Sequence, residues 1–446
     1  MKPTGQDTTT FDRLEWLGPT PRVALLRGGG LGDFLSTTAA LRALRTALPR
    51  ATITLITNST IGDFARRYQE IDHIVVAPSF PGVVEGVPDK RAQDQFFDAM
   101  RAERFDLAMQ WHGGGTQSNH FINRLGARLT IGFKGNDAEP LDLWIPYDIR
   151  QHETLRYLDL LRLLGIQATE FPIVLPVLES DREELQTVAN ALDLEALRRG
   201  NCMGIHASAG GLSRRWAPER FAYVADRLVD EFGLEYVLVT AGPGQEADSA
   251  AVVSHMAARD RAVDLAGKIS LGALVALIAQ LRFLLSNDSG PAHMAVALDT
   301  PSVVVFGSAH PVNWAPLDRT LHRVVANWAA PCRWMVDDGC QDTPEVACLL
   351  GVQPEDVLAE ARQLLGLLER MEKTGPPWPG HSPQRPSKLA RKLHWKCHAE
   401  DATLRPSAAA PHQLPKPGQG DRIPLRRIGK PEPPGREGSR QRSPMA

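Results

Sequence analysis

Two stretches of this 446-residue chain carry groups able to move a proton and hold an anion. In LLRGGGLGDFLSTTAAL, Leu25 to Leu41, four glycines follow an apolar run and lead to one carboxylate, Asp33. A helix N-terminus favours the ionised form of such an acid, so Asp33 is poised to take a proton from a hydroxyl as a general base. Aspartate is equally suited to capping the helix, and spacing does not choose between the two. In SNDSGPAHMAVAL, an apolar strand ends at Asp288, and Ser289, Gly290 and Pro291 open a helix with His293 one turn inside. Unpaired N–H groups at that helix start can receive anionic oxygens; a capped core helix with a satisfied histidine explains the same letters.

A third stretch, HASAGGLSRRWAPERF, places Arg214 and Arg215 in a loop of small residues before the helix signal Pro218. A guanidinium beside such a loop can neutralise a diphosphate with its fork of donors, whereas solvated surface arginines would look the same in isolation. Taken as a set, the three stretches divide a reaction between two halves. A base in one half faces an oxyanion-holding helix and a cation in the other, as transfer from a nucleotide-activated donor requires. A dehydrogenase is disfavoured: Asp33 stands where the third glycine of G-x-G-x-x-G belongs, Asn58 replaces the acid that would hold a ribose, and no Walker lysine is present.

The elements that must position these groups alternate strand and helix. RVALLR, ATITLIT, IDHIVVAP and FDLAMQW read as strands, TIGF as a fifth, and FLSTTAALRALRTAL has helical spacing. HETLRYLDLLRLLG is an amphipathic helix ended by Gly165. After a proline-marked connector the pattern restarts with CMGIHAS, the helix APERFAYVADRLVDEFG, the strands EYVLVTAG and RFLLSND, the helix GPAHMAVAL and the strand PSVVVFG. PEDVLAEARQLLGLLERM closes the ordered part. The expectation is an α/β protein with two parallel, doubly wound sheets and a cleft between their carboxyl ends. Its divisions fall at 20–178, 179–371 and a tail over 372–446.

That tail is Pro-, Gly- and Arg-rich and reads as disordered. Between Met371 and Ala446 it has 15 Lys+Arg against 6 Asp+Glu, a net +9 in a chain whose total is −2, so the body carries −11. An accessory tail and a contact with anionic lipid or RNA both fit it, although the whole-chain balance gives no case for nucleic acid. Five cysteines and a polar start without a signal peptide point to the cytoplasm. LGALVALIAQLRFLL, broken by Gln280 and Arg282, is too short to span a membrane.

VALLRGGGLGDFLSTTAALRALRTALPRATITLIT, HASAGGLSRRWAPERFAYVADRL and FLLSNDSGPAHMAVALDTPSVVVFGSAHPVNWAPL resemble, in order and spacing, the heptosyltransferase family (family 9) of bacterial glycosyltransferases. The resemblance runs from about Arg22 to Met371. It implies a GT-B fold, inversion at the anomeric carbon, and neither metal nor other cofactor. It puts the base on Asp33 and the essential cation on Arg214. Donor contacts fall on Asp288, Ser289, Gly290, His293 and Arg215, with Glu246 of GPGQE at the ribose. The acceptor side falls on Gly30, Gly32 and His112. The implied donor is a nucleotide sugar, ADP-heptose, and the acceptor a lipid-linked or envelope glycan met at the inner face of the cytoplasmic membrane. A non-catalytic binding protein of the same fold is the competing reading, against which the joint retention of Asp33, Asp288 and His293 argues.

The sequence departs from the family pattern in three places. Arginine stands at position 214 where lysine is common, Ala217 separates Trp216 from Pro218, and the GGG turn lacks a side-chain hydroxyl. Cys332, Cys340 and Cys348 resemble the Cys-bearing segment of some members. Three thiols could begin a zinc site, but their spacing is not C-x-x-C and a fourth ligand is not evident.

Overall fold

The computed structural model describes residues 13–168, 172–192, 197, 199–330 and 346–374, all within one compact unit. Cys332, Cys340 and the basic tail lie outside these residues. The first sheet contains β1 (Arg22–Leu26), β2 (Thr52–Thr57), β3 (His73–Val76), β4 (Leu107–Gln110), β5 (Leu129–Lys134) and β6 (Leu143–Pro146), ordered β3-β2-β1-β4-β5-β6. The second contains β7 (Cys202–His206), β8 (Tyr236–Thr240), β9 (Ala262–Asp264), β10 (Phe283–Asn287), β11 (Ser302–Phe306) and β12 (His322–Ala326), ordered β12-β11-β10-β7-β8-β9. Every pairing is parallel. Numbered within its own half, each sheet is the same doubly wound arrangement, reversing between β1 and β4 in one and between β7 and β10 in the other.

Central strands such as VALL, LAMQ and FLLSN are buried on both faces, which is why they read as continuous apolar runs rather than alternating ones. Sequence reading misses β6, β9 and β12, and these are edge strands. Their half-exposed residues dilute the apolar signal, and Pro146 ends β6. Helices Ser59–Ala65, Lys90–Ala102 and Ser118–Arg124 make the crossovers between the early strands.

The core is not confined to one sheet. One buried apolar cluster runs from Val23 and Leu44 through Leu161, Leu175 and Leu185 to Leu277 and Met294. The far face of the first sheet packs on Phe97 and Phe121, and that of the second on Phe221, Leu228 and Leu364. Among the described residues, no helix is long and apolar enough to cross a membrane.

The connection between halves is locked by a buried ion pair. Arg67 Nη1 lies 2.9 Å from Asp181 Oδ2 and 3.0 Å from the Pro176 carbonyl, while the same carboxylate oxygen accepts from the Leu178 amide at 2.9 Å. The side chains are 7% and 6% exposed, so neither charge can turn to water. Removing one partner strands the other in the interior, a loss of about 3–5 kcal/mol. Asp181→Ala should therefore lower the urea midpoint by that amount of stability; a loss below about 1 kcal/mol would show the pair to be dispensable.

Candidate active site

Arg27, the residue that follows β1, is 3% exposed and turns its guanidinium toward the first turn of helix Leu31–Ala47. Its Nη2 donates to Asp33 Oδ1 at 2.6 Å, its Nε to the Asp33 carbonyl at 3.2 Å, and its Nη1 to the Trp111 carbonyl at 2.9 Å. Asp33 Oδ2 accepts from the Gly30 amide at 2.8 Å. The carboxylate thus caps the helix, and its side chain is still 34% exposed. Burial alone would raise its pKa, but the Arg27 charge, the Gly30 amide and the nearby His112 and His293 outweigh burial and hold it below the ordinary carboxylate range. Asp33 is ionised at neutral pH and offers one oxygen that is not committed to a charge.

The glycines before it are required by contact and by backbone geometry. Gly29 has φ of +87°, in the left-handed region that favours glycine. A Cβ on Gly28 would meet the Val83 carbonyl at 2.2 Å, because the loop around Gly82 folds down on the turn. His112, placed after β4, fastens that loop: its Nε2 donates to the Gly82 carbonyl at 2.9 Å. Burial and Arg27 push the imidazole pKa down and favour the neutral ring. His112 therefore lies beside Asp33 electrostatically but spends this ring nitrogen on the loop.

In the second half, the two arginines diverge. Arg214 closes the short helical turn Leu212–Arg214, has no carboxylate partner among the described residues, and acts electrostatically on Asp288. Arg215 points elsewhere, with Nε donating to the Ala209 carbonyl at 2.9 Å and Nη1 paired to Asp248 Oδ2 at 3.1 Å. Arg215 is thus held by Asp248 on helix Glu246–His255. Asp288 is buried at the end of β10, 3.7 Å from His293 Nε2. Burial raises its pKa, opposed by His293 and Arg214. Ser289 precedes helix Gly290–Ala297, but its hydroxyl turns back to the Asn287 carbonyl at 3.2 Å, so no side chain caps that helix start. Glu246 is exposed and accepts from the Gly244 amide at 3.0 Å.

Three groups absent from the sequence expectation order these loops. Asn287 receives the Trp216 amide at 3.0 Å and donates to the Ala207 carbonyl at 2.5 Å, tying the β7 loop to the end of β10. Behind it, His206 and Ser208 form a chain of fixed direction. Thr240 Oγ1 donates to the Ile205 carbonyl, so it accepts from His206 Nδ1 at 2.9 Å; the bare Nε2 accepts from Ser208 Oγ at 3.1 Å, which takes the Gly242 amide at 2.8 Å.

The two halves meet at the candidate residues. A Cβ added to Gly32 would lie 2.4 Å from His293 Cδ2, and one on Gly290 3.6 Å from the Leu31 Cβ, so the first turns of both helices touch. To one side, His152 Nε2 donates to the Ala315 carbonyl at 2.9 Å and Asn313 donates to the carbonyls of Ile149 and Gln151. This seam brings together Asp33, Gly30, Gly32, Asp288, Ser289, Gly290 and His293, with Arg214 acting on Asp288 from within the second half. Arg215 and Glu246 sit apart on the β8 side. The arrangement can accept a proton on one wall and hold an oxyanion on the other. Among the described residues, no group of three or more His, Cys, Asp or Glu could hold a metal ion.

Gly32→Ala must displace His293 or part the halves, and turnover should fall by about ten-fold or more, the equivalent of about 1.4 kcal/mol in the barrier. A variant with wild-type turnover would show that the contact does not matter. The buried histidines make a second outcome measurable. Burial lowers the pKa of His152, His206 and His322 to about 4 each, whereas the unfolded chain protonates them near 6.5. Between those values the unfolded state binds more protons, so stability is lost as pH falls from about 6.5 to 4. Urea midpoints measured across that window should decline steadily, and less steeply in His206→Gln; equal slopes would exclude this residue as a contributor.

Comparison with known proteins assigns the fold and the family. The model of glycosyltransferase family 9 (heptosyltransferase) matches residues 94–339. Lipopolysaccharide heptosyltransferase 2 of Escherichia coli (strain K12) is 25% identical over 365 residues, covering 77% of this chain and 98% of that protein. A family 9 glycosyl transferase from Veillonella parvula superposes with a TM-score of 0.64 at 21% identity, covering 78% of this chain and 97% of the other. The E. coli ADP-heptose LPS heptosyltransferase II superposes with a TM-score of 0.61 at 20% identity, over 78% and 99%. The two facing sheets are thus a GT-B fold, and the chain is a glycosyltransferase belonging to family 9, the heptosyltransferase family.

Proposed function

We propose that this enzyme transfers a heptose from ADP-heptose to an envelope glycan acceptor of the lipopolysaccharide type, with inversion at the anomeric carbon. The observation that carries the reading is Asp33: an ionised, partly exposed carboxylate at a seam whose opposite wall is an uncapped helix start. The acceptor hydroxyl binds at Asp33 Oδ2, in the turn formed by Gly30 and Gly32. Its oxygen attacks the anomeric carbon on the face opposite the leaving group. The bond from that carbon to the diphosphate oxygen breaks, and its electron pair leaves with the diphosphate. The proton passes to Asp33 Oδ2, and the products are the inverted glycoside and ADP.

The charge that develops on the leaving oxygen is met by Arg214 and the first amides of helix Gly290–Ala297, donors already in place before the reaction. Asp288 and His293 hold one another at the start of that helix and orient the donor sugar. Glu246 takes a ribose hydroxyl, and Arg215, through Asp248, shapes the loop beside it. His112 acts on the acceptor side by keeping the Gly82 loop against the glycine turn. A relative of known structure, an ADP-heptose heptosyltransferase, supports the donor assignment. The acceptor is taken from the lipopolysaccharide heptosyltransferase to which the chain is similar. We place the reaction at the cytoplasmic face of the inner membrane, where the basic tail meets anionic lipid.

Asp33→Asn should cut kcat by about 10²–10⁴, the usual worth of a general base, and leave ADP affinity within about two-fold. Normal turnover in this variant would remove Asp33 from the mechanism. Arg214→Met should lose ADP-heptose affinity and turnover together. A thermal-shift panel of nucleotide sugars tests the donor, since a ligand bound to the folded state raises Tm by mass action. A larger shift with a UDP- or GDP-sugar than with ADP-heptose would reassign it.

A further inference from the structure

Resting on the reading of Asp33 as the base, we infer that Arg27 is a positioning residue for the transfer: it pins one carboxylate oxygen and leaves the other to receive the acceptor's proton. All three of its donor bonds serve this purpose. Its Nη2 holds Oδ1 of Asp33, its Nε holds the main-chain carbonyl of the same residue, and its Nη1 holds the Trp111 carbonyl at the end of the neighbouring strand. Side chain, helix turn and sheet are thereby fixed relative to one another by one planar group. A lysine carries the charge but lacks that fork.

The surroundings leave Arg27 committed to Asp33. Its guanidinium carbon lies 5.6 Å from the Tyr157 ring centre. The other acid close by, Glu153, is already taken: it accepts from Tyr157 Oη at 2.8 Å and pairs with Arg156. The groups that face Asp33 are Arg27 just after β1, the Gly30 amide, His112 after β4, and Asp288 and His293 across the seam. Burial opposes ionisation of Asp33, and Arg27 is the largest of the influences that counter it. Without the guanidinium, the carboxyl would titrate at higher pH and lose the contact that fixes Oδ1. Arg27 makes the base weaker but keeps it charged and aimed. Glycosyl transfer tolerates that exchange when the proton moves late, after the bond to the diphosphate has largely broken.

The test is the pH dependence of kcat/KM for the full-length enzyme with ADP-heptose, measured for wild type, Arg27→Lys and Arg27→Met. Wild type should be flat on the acid side down to about pH 5. Arg27→Met should gain an acid limb at higher pH than wild type, since burial raises the carboxyl and the arginine that opposes it is gone. Its kcat at pH 8 should also fall by about ten-fold or more. Arg27→Lys should keep the flat profile while losing turnover, because it retains the charge and not the geometry. An unmoved acid side in Arg27→Met overturns the inference. Should that variant fail to fold, a ¹³C titration of the wild-type carboxyls, assigned with Asp33→Asn, decides: a value for Asp33 at or above 3.9 overturns it, and a lower value supports it. Failure of the underlying reading is separate, since Asp33→Asn would then be active; an inactive Asp33→Asn with an unmoved Arg27→Met removes only the role of Arg27.

Discussion

Strand order decides where chemistry can happen in this protein. In each parallel sheet, successive crossovers run outward in opposite directions from a central pair of strands, and the loops leaving that pair are forced apart. The loops after β1 and β4 hold Asp33 and His112; those after β7 and β10 hold Arg214, Asp288 and His293. Four connections from two sheets thus deliver an ionised carboxylate, a cation and a helix start to one seam.

The seam itself is built by omission. Gly32 has no side chain because His293 occupies its place, and Gly28 has none because the Val83 carbonyl does. Around these contacts, the hydrogen bonds of His152, Asn313, Asn287 and His206 fix which backbone faces which. None of the four is required to touch a substrate. His152 and Asn313 tie one half to the other, while Asn287 and His206 hold the loops of the second half in place.

Much of this is legible in the amino-acid sequence, and what is not has a physical reason. The glycine turn, the SNDSGPAH helix start and the small-residue loop before Trp216 declare themselves, since each needs a local residue pattern. The central strands do so as well, being apolar throughout. Edge strands β6, β9 and β12 are hidden by partial exposure. Arg27 is hidden differently: its partners lie six and 84 residues away, and only the pairing shows that a buried arginine belongs there. One signal was available, a lone charge ending the apolar run VALLR. For Arg214 and Arg215 the sequence offers two equal cations, and only the position of Asp248 tells them apart.

Both helices that meet at the seam do so with the same end. The first turns of Leu31–Ala47 and Gly290–Ala297 touch through Gly32 and His293, and each presents the positive pole of its dipole. Like poles pressed together repel, and the acids at positions 33 and 288 relieve only part of that tension. An anion lodged between the poles relieves the remainder, so it acts as an adhesive for the two halves. By reciprocity, whatever draws the halves together also tightens the grip on an anion held there, so binding the anion and closing the seam are, in free-energy terms, one event.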